Sequence, residues 1–295
     1  MKAAFLPDRG VVEVSGEDAR KFLNGLFTTD VTLLHPDEAR FGALLTPQGK
    51  IAVDFLILQA RNDAAAPERF LLDCPRALTQ AFADKLKLYR LRAKVAIDNL
   101  SDRLGVIAAW DGEIVSRPEL GFTDPRLPAL GWRILSPEAE APEIAKQIGA
   151  ELVDSSAYEA HRIARAVPRG GPDFAYGDAF PHETNMDLLH GVDLGKGCYV
   201  GQEVVSRMHH RGTARTRAAQ VFFDGPAPAP GTPVVAGDKS VGTVGSAAGD
   251  TAVALIRIDR VADALAAGQA LTAGGLALRI ADPAILQPAP KQTVA

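Results

Sequence analysis

The amino-acid sequence predicts an α+β protein with antiparallel sheets and helices, followed by a small C-terminal β-barrel. Three observations lead to this prediction. The first hundred residues hold apolar strands joined by tight turns, which favour antiparallel pairing. Segments with one apolar face, typical of packed helices, lie between those strands. After Arg217 the chain holds short strands separated by turns rich in Pro and Gly, which is typical of a barrel.

The N-terminal part is predicted to begin with a strand at Val11–Val14 and a helix. Ser15 is a candidate N-cap of that helix, and apolar residues recur at helical spacing over Ala19–Phe27. A turn that contains Pro and Gly then separates two strands, Phe41–Leu45 and Ile51–Gln59. This pattern predicts a hairpin.

The middle of the chain continues to alternate strands with helices. Pro75 opens a predicted helix with one apolar face. Ser156 and Glu159 form a capping-box pattern ahead of a helix that ends near Val167. The strands predicted in this part are Arg69–Cys74, Ala93–Asn99, Leu104–Trp110 and Trp132–Leu135.

The segment Gly170–Gly201 is rich in glycine and has little periodicity. Long irregular segments in compact proteins are functional or disordered, and the aromatic residues here favour a functional segment. A helix is predicted to start at Gln202. We place a domain boundary near residue 220, so that residues 1–220 form one region of two interleaved subdomains and residues 221–295 form the barrel domain.

The composition excludes several classes of protein. With 47% hydrophobic and 23% charged residues the chain is not disordered, and a net charge of −4 argues against general nucleic-acid binding. No apolar stretch reaches the ~18 residues of a membrane span. The N-terminus lacks a signal-like apolar core, and two cysteines cannot form a disulfide framework. We therefore expect a cytoplasmic monomer or weak dimer without a membrane partner.

Asp54 is the one charged residue in a strand that is apolar on both faces. A carboxylate in such a strand needs hydrogen bonds or a cation, because burying it unpaired costs several kcal/mol. Two interpretations stay open. Asp54 is either a structural residue held by backbone amides or an arginine, or an acid that faces a ligand amine.

The sharpest local signal is Gly195-Lys-Gly-Cys-Tyr-Val-Gly-Gln-Glu203. Three glycines in seven residues allow positive φ values or the close approach of a ligand. Cys198 precedes a predicted helix start and lies two residues from Lys196, and both placements favour the thiolate. A small residue in a tight turn is an equally supported interpretation. Cys74, on a strand, is predicted to be structural.

Arg207, Arg211 and Arg215 recur every four residues, and Arg217 follows closely. This spacing is typical of a solvated helix face. It also suits a clamp for an anionic ligand tail such as a glutamate chain, because guanidinium groups pair with carboxylates. RNA contact is a weaker third interpretation. The adjacent pair His209-His210 does not share a helix face, so no metal site is predicted.

The stretch Lys196-Gly-Cys-Tyr-Val-Gly-Gln-Glu203, together with Arg207 and His209-His-Arg-Gly212, resembles the folate-binding YgfZ-type iron–sulfur cluster assembly proteins, especially their mitochondrial relatives. The segment from Asp18 to Val31 resembles their first helix. That family is itself similar to the glycine-cleavage T protein, a tetrahydrofolate-dependent aminomethyltransferase.

The segment from Phe41 to Asp54 resembles the family's hairpin. The element Pro181-His-Glu183 resembles the Pro-x-Glu element of the T protein, and the β-rich C-terminus resembles its barrel, so that the resemblance covers roughly residues 1–285. It implies an aminomethyltransferase-like folate-binding fold.

The resemblance also implies roles for single residues. Asp54 falls in the region of the T protein's hairpin where an acid lies near the reactive nitrogens of folate. Several YgfZ-type proteins lack a carboxylate there, so its presence keeps one-carbon chemistry open. Glu183 matches the glutamate that holds the pterin ring, since a carboxylate accepts two parallel hydrogen bonds from an aminopyrimidine edge. Cys198 replaces an acidic residue of the T protein, which favours the assembly-factor branch.

Tetrahydrofolate is accordingly the expected cofactor. Its pterin end would contact Asp54 and Glu183, and its acidic tail would contact Lys196 and nearby arginines. The expected binding residues are Asp54, Glu183, Lys196, Tyr199, Gln202, Arg207 and Arg211, with Asp54 and Cys198 as the catalytic candidates.

The leading interpretation is a tetrahydrofolate-binding accessory protein for iron–sulfur cluster assembly or repair, with client or assembly proteins as partners. Cys198 would then act as a redox-active thiol or a transient cluster ligand, and a partner would supply the other ligands. One alternative is a tetrahydrofolate-dependent aminomethyltransferase that uses Asp54 as its acid. Another is a non-catalytic module that binds RNA or protein, although RNA is the less expected partner.

Overall fold

The computed structural model describes residues 1–61, 66–212 and 214–287, which form two compact units. Unit 1 combines Met1–Leu45, Ala52–Tyr158 and Leu188–Val200. Unit 2 combines Thr46–Ile51, Glu159–Asp187 and the chain from Gly201 onward. Among the described helices, none has both the length and the apolar character that crossing a membrane requires.

The strands up to residue 158 belong to two sheets. They are β1 (Lys2–Phe5), β2 (Arg9–Ser15), β3 (Ala39–Leu45), β4 (Ile51–Gln59), β5 (Arg69–Pro75), β6 (Ala96–Asn99), β7 (Gly105–Trp110), β8 (Gly121–Thr123), β9 (Trp132–Ser136) and β10 (Glu151–Leu152). The first sheet has the order β3-β4-β5-β2-β6 and the second the order β10-β1-β7-β9-β8. Strands β1 and β10 pair in parallel, whereas β1–β7, β7–β9 and β2–β5 pair antiparallel.

Each sheet of unit 1 buries one face under helices. Helices α1 (Ala19–Asn24) and α2 (Thr79–Arg90) cover the first sheet, and α3 (Ala141–Ile148) covers the second. The rings of Phe27, Phe55 and Phe82 meet in the first core, with centroids 4.3 Å apart for Phe27–Phe55 and 5.6 Å for Phe55–Phe82. Apolar burial of this kind is the main favourable term in folding.

Unit 2 contains the end of α4 (Ser155–Ile163), helix α5 (Gln202–Arg211) and the expected barrel. Its strands are β11 (Thr216–Phe223), β12 (Pro233–Ala236), β13 (Lys239–Ala248), β14 (Thr251–Arg257), β15 (Leu271–Ala273) and β16 (Leu276–Ile280), with α6 (Ile258–Ala266) between β14 and β15. The strands close in the order β11-β14-β13-β12-β15-β16. Val221, Val234 and Ile256 are fully buried in its apolar interior.

The structure confirms the predicted hairpin, the strands from Arg69 to Ser136 and the helix that starts at Gln202. The capping prediction was wrong, because Ser156 lies inside α4 and Asp154 accepts its backbone N–H at 2.8 Å. Helix α4 also ends at Ile163 rather than near Val167. Six of the described helices and strands were not predicted: β1, β8, α3, β10, α6 and β15. The barrel begins at Thr216, and the domain boundary near residue 220 stays a prediction.

A buried ionic network connects the two sheets of unit 1. Asp73 on β5 accepts from Arg9 on β2 at 2.6 Å and pairs with Arg133 on β9 at 3.5 Å. Arg133 also contacts Asp124 at 3.2 Å, and Asp124 pairs with Arg126 at 2.6 Å. The side chains of both aspartates are fully buried, so each needs these guanidinium partners.

The same network lowers the pKa of the Asp124 carboxyl to about 2. Burial by itself raises that pKa, but the charges and hydrogen bonds of Arg126 and the charge of Arg133 outweigh it. Because the folded pKa lies below the unfolded value of about 3.9, this stabilisation is present above pH 4 and is lost as the pH falls towards 2.

We expect Asp73→Ala to lower the free energy of unfolding by about 3–5 kcal/mol, because it leaves Arg9 and Arg133 buried beside an empty site. Urea unfolding followed by circular dichroism measures this change. The control is Glu17→Ala, which breaks an ion pair with Lys94 whose side chains are 69% and 72% exposed, and it should cost less than about 1 kcal/mol. An equal loss of unfolding free energy in the two variants would contradict the stabilising role of the buried network.

Candidate functional site

The residues 191–200, here called the Lys-Gly-Cys loop, are fixed to unit 1 by a buried ammonium group. The Nζ atom of Lys196 donates to the backbone carbonyls of Asn24, Phe27 and Thr29 at 2.8, 2.7 and 2.8 Å. Lys196 is 7% exposed. Burial lowers its pKa to about 8, although the charges of Asp30 and Asp193 act in the opposite direction.

Because an ammonium group has three protons, these three carbonyls use all of them. In this geometry Lys196 has no proton left for a ligand. Its expected contact with the acidic tail of folate stays a prediction, and the structure assigns the side chain a role in anchoring the loop instead. The structure also directs this positive charge at the carbonyls, so it lends no support to an activating effect on the thiol of Cys198.

Thr28 adds a second attachment for the loop. Its hydroxyl donates to the carbonyl of Gly191 at 2.6 Å and accepts the backbone N–H of Ala43 on β3 at 2.9 Å. The carbonyl of Thr28 accepts the N–H of Asp193 at 2.9 Å. Thr28 is completely buried. The base of the loop is therefore joined by hydrogen bonds to both the turn after α1 and the first sheet.

Exposed and buried residues alternate at the tip of the loop. Gly195, Gly197 and Cys198 are exposed, whereas Lys196 and Tyr199 are buried. The ring of Tyr199 lies 5.3 Å from the Lys196 ammonium, and burial raises the pKa of its hydroxyl to about 12, with a smaller effect from Asp193. The loop thus presents the sulfur outward between two buried anchors.

The glycines of this segment have different roles. Gly201 is the N-cap residue before α5 and has φ +79°, a conformation that favours glycine. Gly195 and Gly197 do not have positive φ, and a Cβ atom added to Gly197 would meet open space. The part of the chain that the structure describes therefore gives no packing reason for Gly197, and the close approach of a ligand stays a prediction.

Asp54 lies within β4 and is 7% exposed. Burial acts to lower the pKa of the Arg9 guanidinium, but the charges of Asp73 and Asp54 hold it above its usual value. Asp54 and Asp73 also act with burial to raise the pKa of the Cys74 thiol. This setting favours the structural interpretation of Asp54, as a carboxylate near a buried guanidinium. Its catalytic role stays a prediction.

Glu183, in unit 2, lies in a short 3-10 helix over Pro181–Thr184 and is half-buried. Its Oε2 atom accepts the backbone N–H of Phe180 at 2.8 Å. Among the described residues, Oε1 has no hydrogen-bond partner. One carboxylate oxygen is therefore held in place and the other is able to accept a hydrogen bond, but contact with a pterin ring stays a prediction.

The arginines that follow do not form one surface. Arg207 pairs with Glu203 on α5, and these side chains are 55% and 83% exposed, as expected for a solvated helix face. Gln202 begins the same helix. The backbone of Arg211 belongs to α5, but its side chain lies outside the described residues, so its predicted contact is not described.

Arg217 does not belong to the arginine surface that the sequence spacing suggested. It is 5% exposed and donates to both oxygens of Asp187, at 2.6 and 2.9 Å. It also donates to the carbonyl of His182 at 2.7 Å. Arg217 is therefore a buried structural residue and adds no charge to an RNA or ligand surface.

His182 was not predicted to be a site residue, and it is 2% exposed in unit 2. Both of its ring nitrogens are buried, and neither has a hydrogen-bond partner among the described residues. Burial lowers its pKa to about 4, and the charges of Arg217 and His209 add to this effect. It borders a cavity of about 10 Å³, the space of roughly one water molecule, which is too small for a folate.

The two cysteines should differ sharply in reactivity. Cys74 is fully buried and burial raises its thiol pKa, whereas Cys198 is exposed. We expect native protein at neutral pH to release one equivalent of thionitrobenzoate from Ellman's reagent, and a second only after unfolding. Mass mapping identifies the modified residue. Equal reactivity of both thiols in the folded protein would contradict the placement of the loop.

Lys196→Met removes the three donors but keeps an apolar side chain of similar length. Because three buried carbonyls lose their partner, we expect the free energy of unfolding to fall by about 2–4 kcal/mol in urea unfolding. Lys146→Met on the exposed face of α3 is the control and should change it by less than about 0.5 kcal/mol. A change in Lys196→Met as small as in the control would refute the anchoring role.

Comparisons with known proteins agree with this architecture. Residues 215–288 match the family model described as CAF17, C-terminal beta-barrel domain. The whole fold is similar to the glycine cleavage system aminomethyltransferase T from Bartonella henselae, with a TM-score of 0.73 and 16% identity over 96% of this chain and 85% of that one. This similarity confirms the expected aminomethyltransferase-like fold.

Two relatives cover most of the sequence. The chain is 31% identical to the human iron-sulfur cluster assembly factor IBA57, mitochondrial, over 87% of this chain and 77% of the relative. It is 38% identical to the IBA57 homolog of Mycosarcoma maydis over 75% of this chain. The match spans 57% of the length of that relative.

Both relatives are named as mitochondrial, and so is that of Mus musculus. The prediction of a cytoplasmic protein was therefore wrong. It relied on the low number of cysteines, which indicates reducing surroundings but does not identify the compartment. The assignment to the YgfZ type stays a prediction. The similarity to the human protein, of which the chain spans more than two thirds, shows that the chain belongs to the family of IBA57 iron–sulfur cluster assembly factors.

Proposed function

We propose that the protein takes part in the assembly of iron–sulfur clusters and that Cys198 contacts the cluster during this step. Membership of the IBA57 family supports the general role, since its relatives are named as assembly factors. The observation that carries the specific role is the exposed Cys198 sulfur, presented on a loop that Lys196 holds to the body of unit 1.

The cluster is a substrate in this proposal, because the described residues do not offer a complete ligand set. An iron–sulfur cluster is held by four protein ligands, most often thiolates. Among the described residues there is no group of three or more His, Cys, Asp or Glu side chains placed to hold a metal ion. The remaining ligands must therefore come from an assembly or client protein, or from a second copy of this chain.

The open space around Gly197 supports the same proposal. A partner that carries the other ligands has to bring its own cysteines within bonding distance of the Cys198 sulfur. A side chain at position 197, next to Cys198, would obstruct that approach. Glycine at this position leaves the approach unobstructed. The alternation of small exposed residues with buried anchors is thus well suited to a ligand that is shared between two proteins.

The test mixes the protein anaerobically with an iron–sulfur carrier protein that holds a cluster. Wild type should form a complex that contains the cluster, seen by native mass spectrometry and by a change in visible circular dichroism, whereas Cys198→Ser should not. Cys74→Ala is the control and should behave as wild type, since Cys74 is buried. An unchanged complex with Cys198→Ser would refute the role of this thiol.

We also propose that the protein binds tetrahydrofolate through Glu183. The proposal rests on the geometry of this carboxylate, which the Phe180 amide fixes while Oε1 is able to accept from an aminopyrimidine. The other expected contacts, Asp54, Tyr199, Gln202, Arg207 and Arg211, are part of the same proposal. Lys196 would contribute by holding the loop.

Isothermal titration with tetrahydrofolate tests this second proposal. Wild type should bind, and Glu183→Gln should weaken binding about tenfold or more, because a charged acceptor is lost. Asp263→Asn is the control, on an exposed carboxylate of α6 in the same unit that is not among the proposed contacts. If wild type does not bind tetrahydrofolate, or if both variants bind equally well, the proposal fails.

No observation favours the two alternative functions. An aminomethyltransferase would use Asp54 as its acid, but Asp54 lies near the buried guanidinium of Arg9. An RNA-binding module would use the arginines after Gln202, but Arg217 is buried and Arg207 is paired. The oligomeric state, predicted as monomer or weak dimer, stays a prediction.

A further inference from the structure

The end of α2 and the turn after it place leucines and cations together on the surface of unit 1. This α2 patch consists of Lys87, Leu88, Arg90, Leu91 and Arg92. Leu88 is 78% exposed and Leu91 is 89% exposed. The opposite face of α2 is buried and holds the helix against the core. The exposed side chains therefore belong to a firmly packed helix.

The α2 patch is also the site of an unusual concentration of positive charge. Residues 84–94 contain five basic side chains and one acidic side chain in a chain whose net charge is −4. The neighbouring acids are engaged, since Asp84 lies 3.6 Å from Lys87 and Glu17 lies 2.7 Å from Lys94. Within the described residues, the side chains of Arg90 and Arg92 make no ion pair.

The backbone holds Leu91 in an unfavourable conformation. Leu91 is the C-cap residue after α2 and has φ +45°, in the region where residues other than glycine are strained. The strain adds to the cost of exposing a large apolar side chain to water. A partner that buries the Leu91 side chain would offset that cost, which makes this position a sign of a contact surface.

We propose that the α2 patch docks on the surface of a lipid bilayer that contains anionic headgroups. Exposed leucines enter the boundary between headgroups and acyl chains, while lysine and arginine side chains reach the phosphates around them. A protein partner fits less well, because leucine is under-represented among the residues that dominate protein interfaces and two leucines without an aromatic anchor bury little area. RNA fits less well, because no exposed aromatic ring of the patch offers a stacking surface.

This contact does not involve a spanning segment. The absence of a membrane-crossing helix among the described residues therefore has no bearing on it, and the expectation of no membrane partner was based on the lack of a span alone. The α2 patch acts through charge and shallow insertion, so that binding should weaken as salt screens the headgroups.

Flotation of the full-length protein with vesicles tests the proposal. Wild type should bind vesicles of phosphatidylcholine mixed with phosphatidylglycerol and should not bind vesicles of phosphatidylcholine alone. Leu88→Ser with Leu91→Ser should weaken binding about tenfold or more, since the inserted apolar surface is lost. Arg90→Glu with Arg92→Glu should do the same and reduce the salt dependence of binding.

Matched controls lie elsewhere on unit 1. Val115→Ser changes another aliphatic side chain, 82% exposed, and Arg103→Glu with Lys146→Glu reverses two exposed charges. These variants should bind as wild type, and thermal melting should show that all variants are folded. The proposal is overturned if wild type does not bind anionic vesicles, or if the control variants lose as much vesicle binding as the patch variants. It is also overturned if the patch binds RNA or an acidic peptide but no vesicles.

Discussion

The buried ammonium of Lys196 is the interaction on which the candidate site depends. It donates to the carbonyl of Asn24 at the end of α1 and to those of Phe27 and Thr29 in the segment that follows, which lie in the interior where backbone acceptors need partners. The same three bonds fix a loop that is otherwise short of regular structure. Cys198 follows two residues later on this anchored loop and is exposed.

This arrangement separates the positive charge from the thiol. A lysine close to a cysteine in sequence is a reasonable candidate to stabilise a thiolate. Here the lysine side chain is directed inward, whereas the cysteine side chain faces solvent. A ligand that must be shared with another protein benefits from exposure and a fixed position, and the loop provides both. In the proposed role the loop therefore presents a sulfur and does not activate a nucleophile.

The interior of unit 1 explains why a carboxylate in an apolar strand does not by itself mark an active site. Asp54 and Asp73 lie in one sheet with Arg9, and Asp73 is linked through Arg133 to the second sheet. Breaking such a network is costly, because each removed partner leaves a buried charge. The fold is shared with an aminomethyltransferase, but a shared fold does not transfer the reaction.

The sequence was sufficient for features that local pattern determines. Alternating apolar residues and a Pro-Gly turn predicted β3 and β4, and the change of composition after Arg217 predicted the barrel. Strands as short as β10, with two residues, have no period to detect. Asp154 caps α4 in place of Ser156 because both residues suit the position, and only the backbone decides between them.

The site was predicted less completely, because its contacts join residues far apart in the sequence. The Lys-Gly-Cys segment was recognisable, but nothing local shows that Lys196 binds the carbonyls of residues 24–29. The pairing of Arg217 with Asp187 and the unpartnered ring of His182 were missed for the same reason. Residue type indicated which groups are capable of chemistry, and tertiary contacts decided which of them remain available.

The most direct test of the anchoring role is the proton exchange of the Lys196 ammonium, observed by ¹H–¹⁵N correlation spectroscopy of the lysine side chains. At a pH below 8, an ammonium whose three protons are bonded to buried carbonyls should give a resolved signal with slow exchange, which is absent in Lys196→Met. Exchange as fast as that of exposed lysines would show that the side chain is in solvent, and the proposed presentation of Cys198 would then have no structural basis.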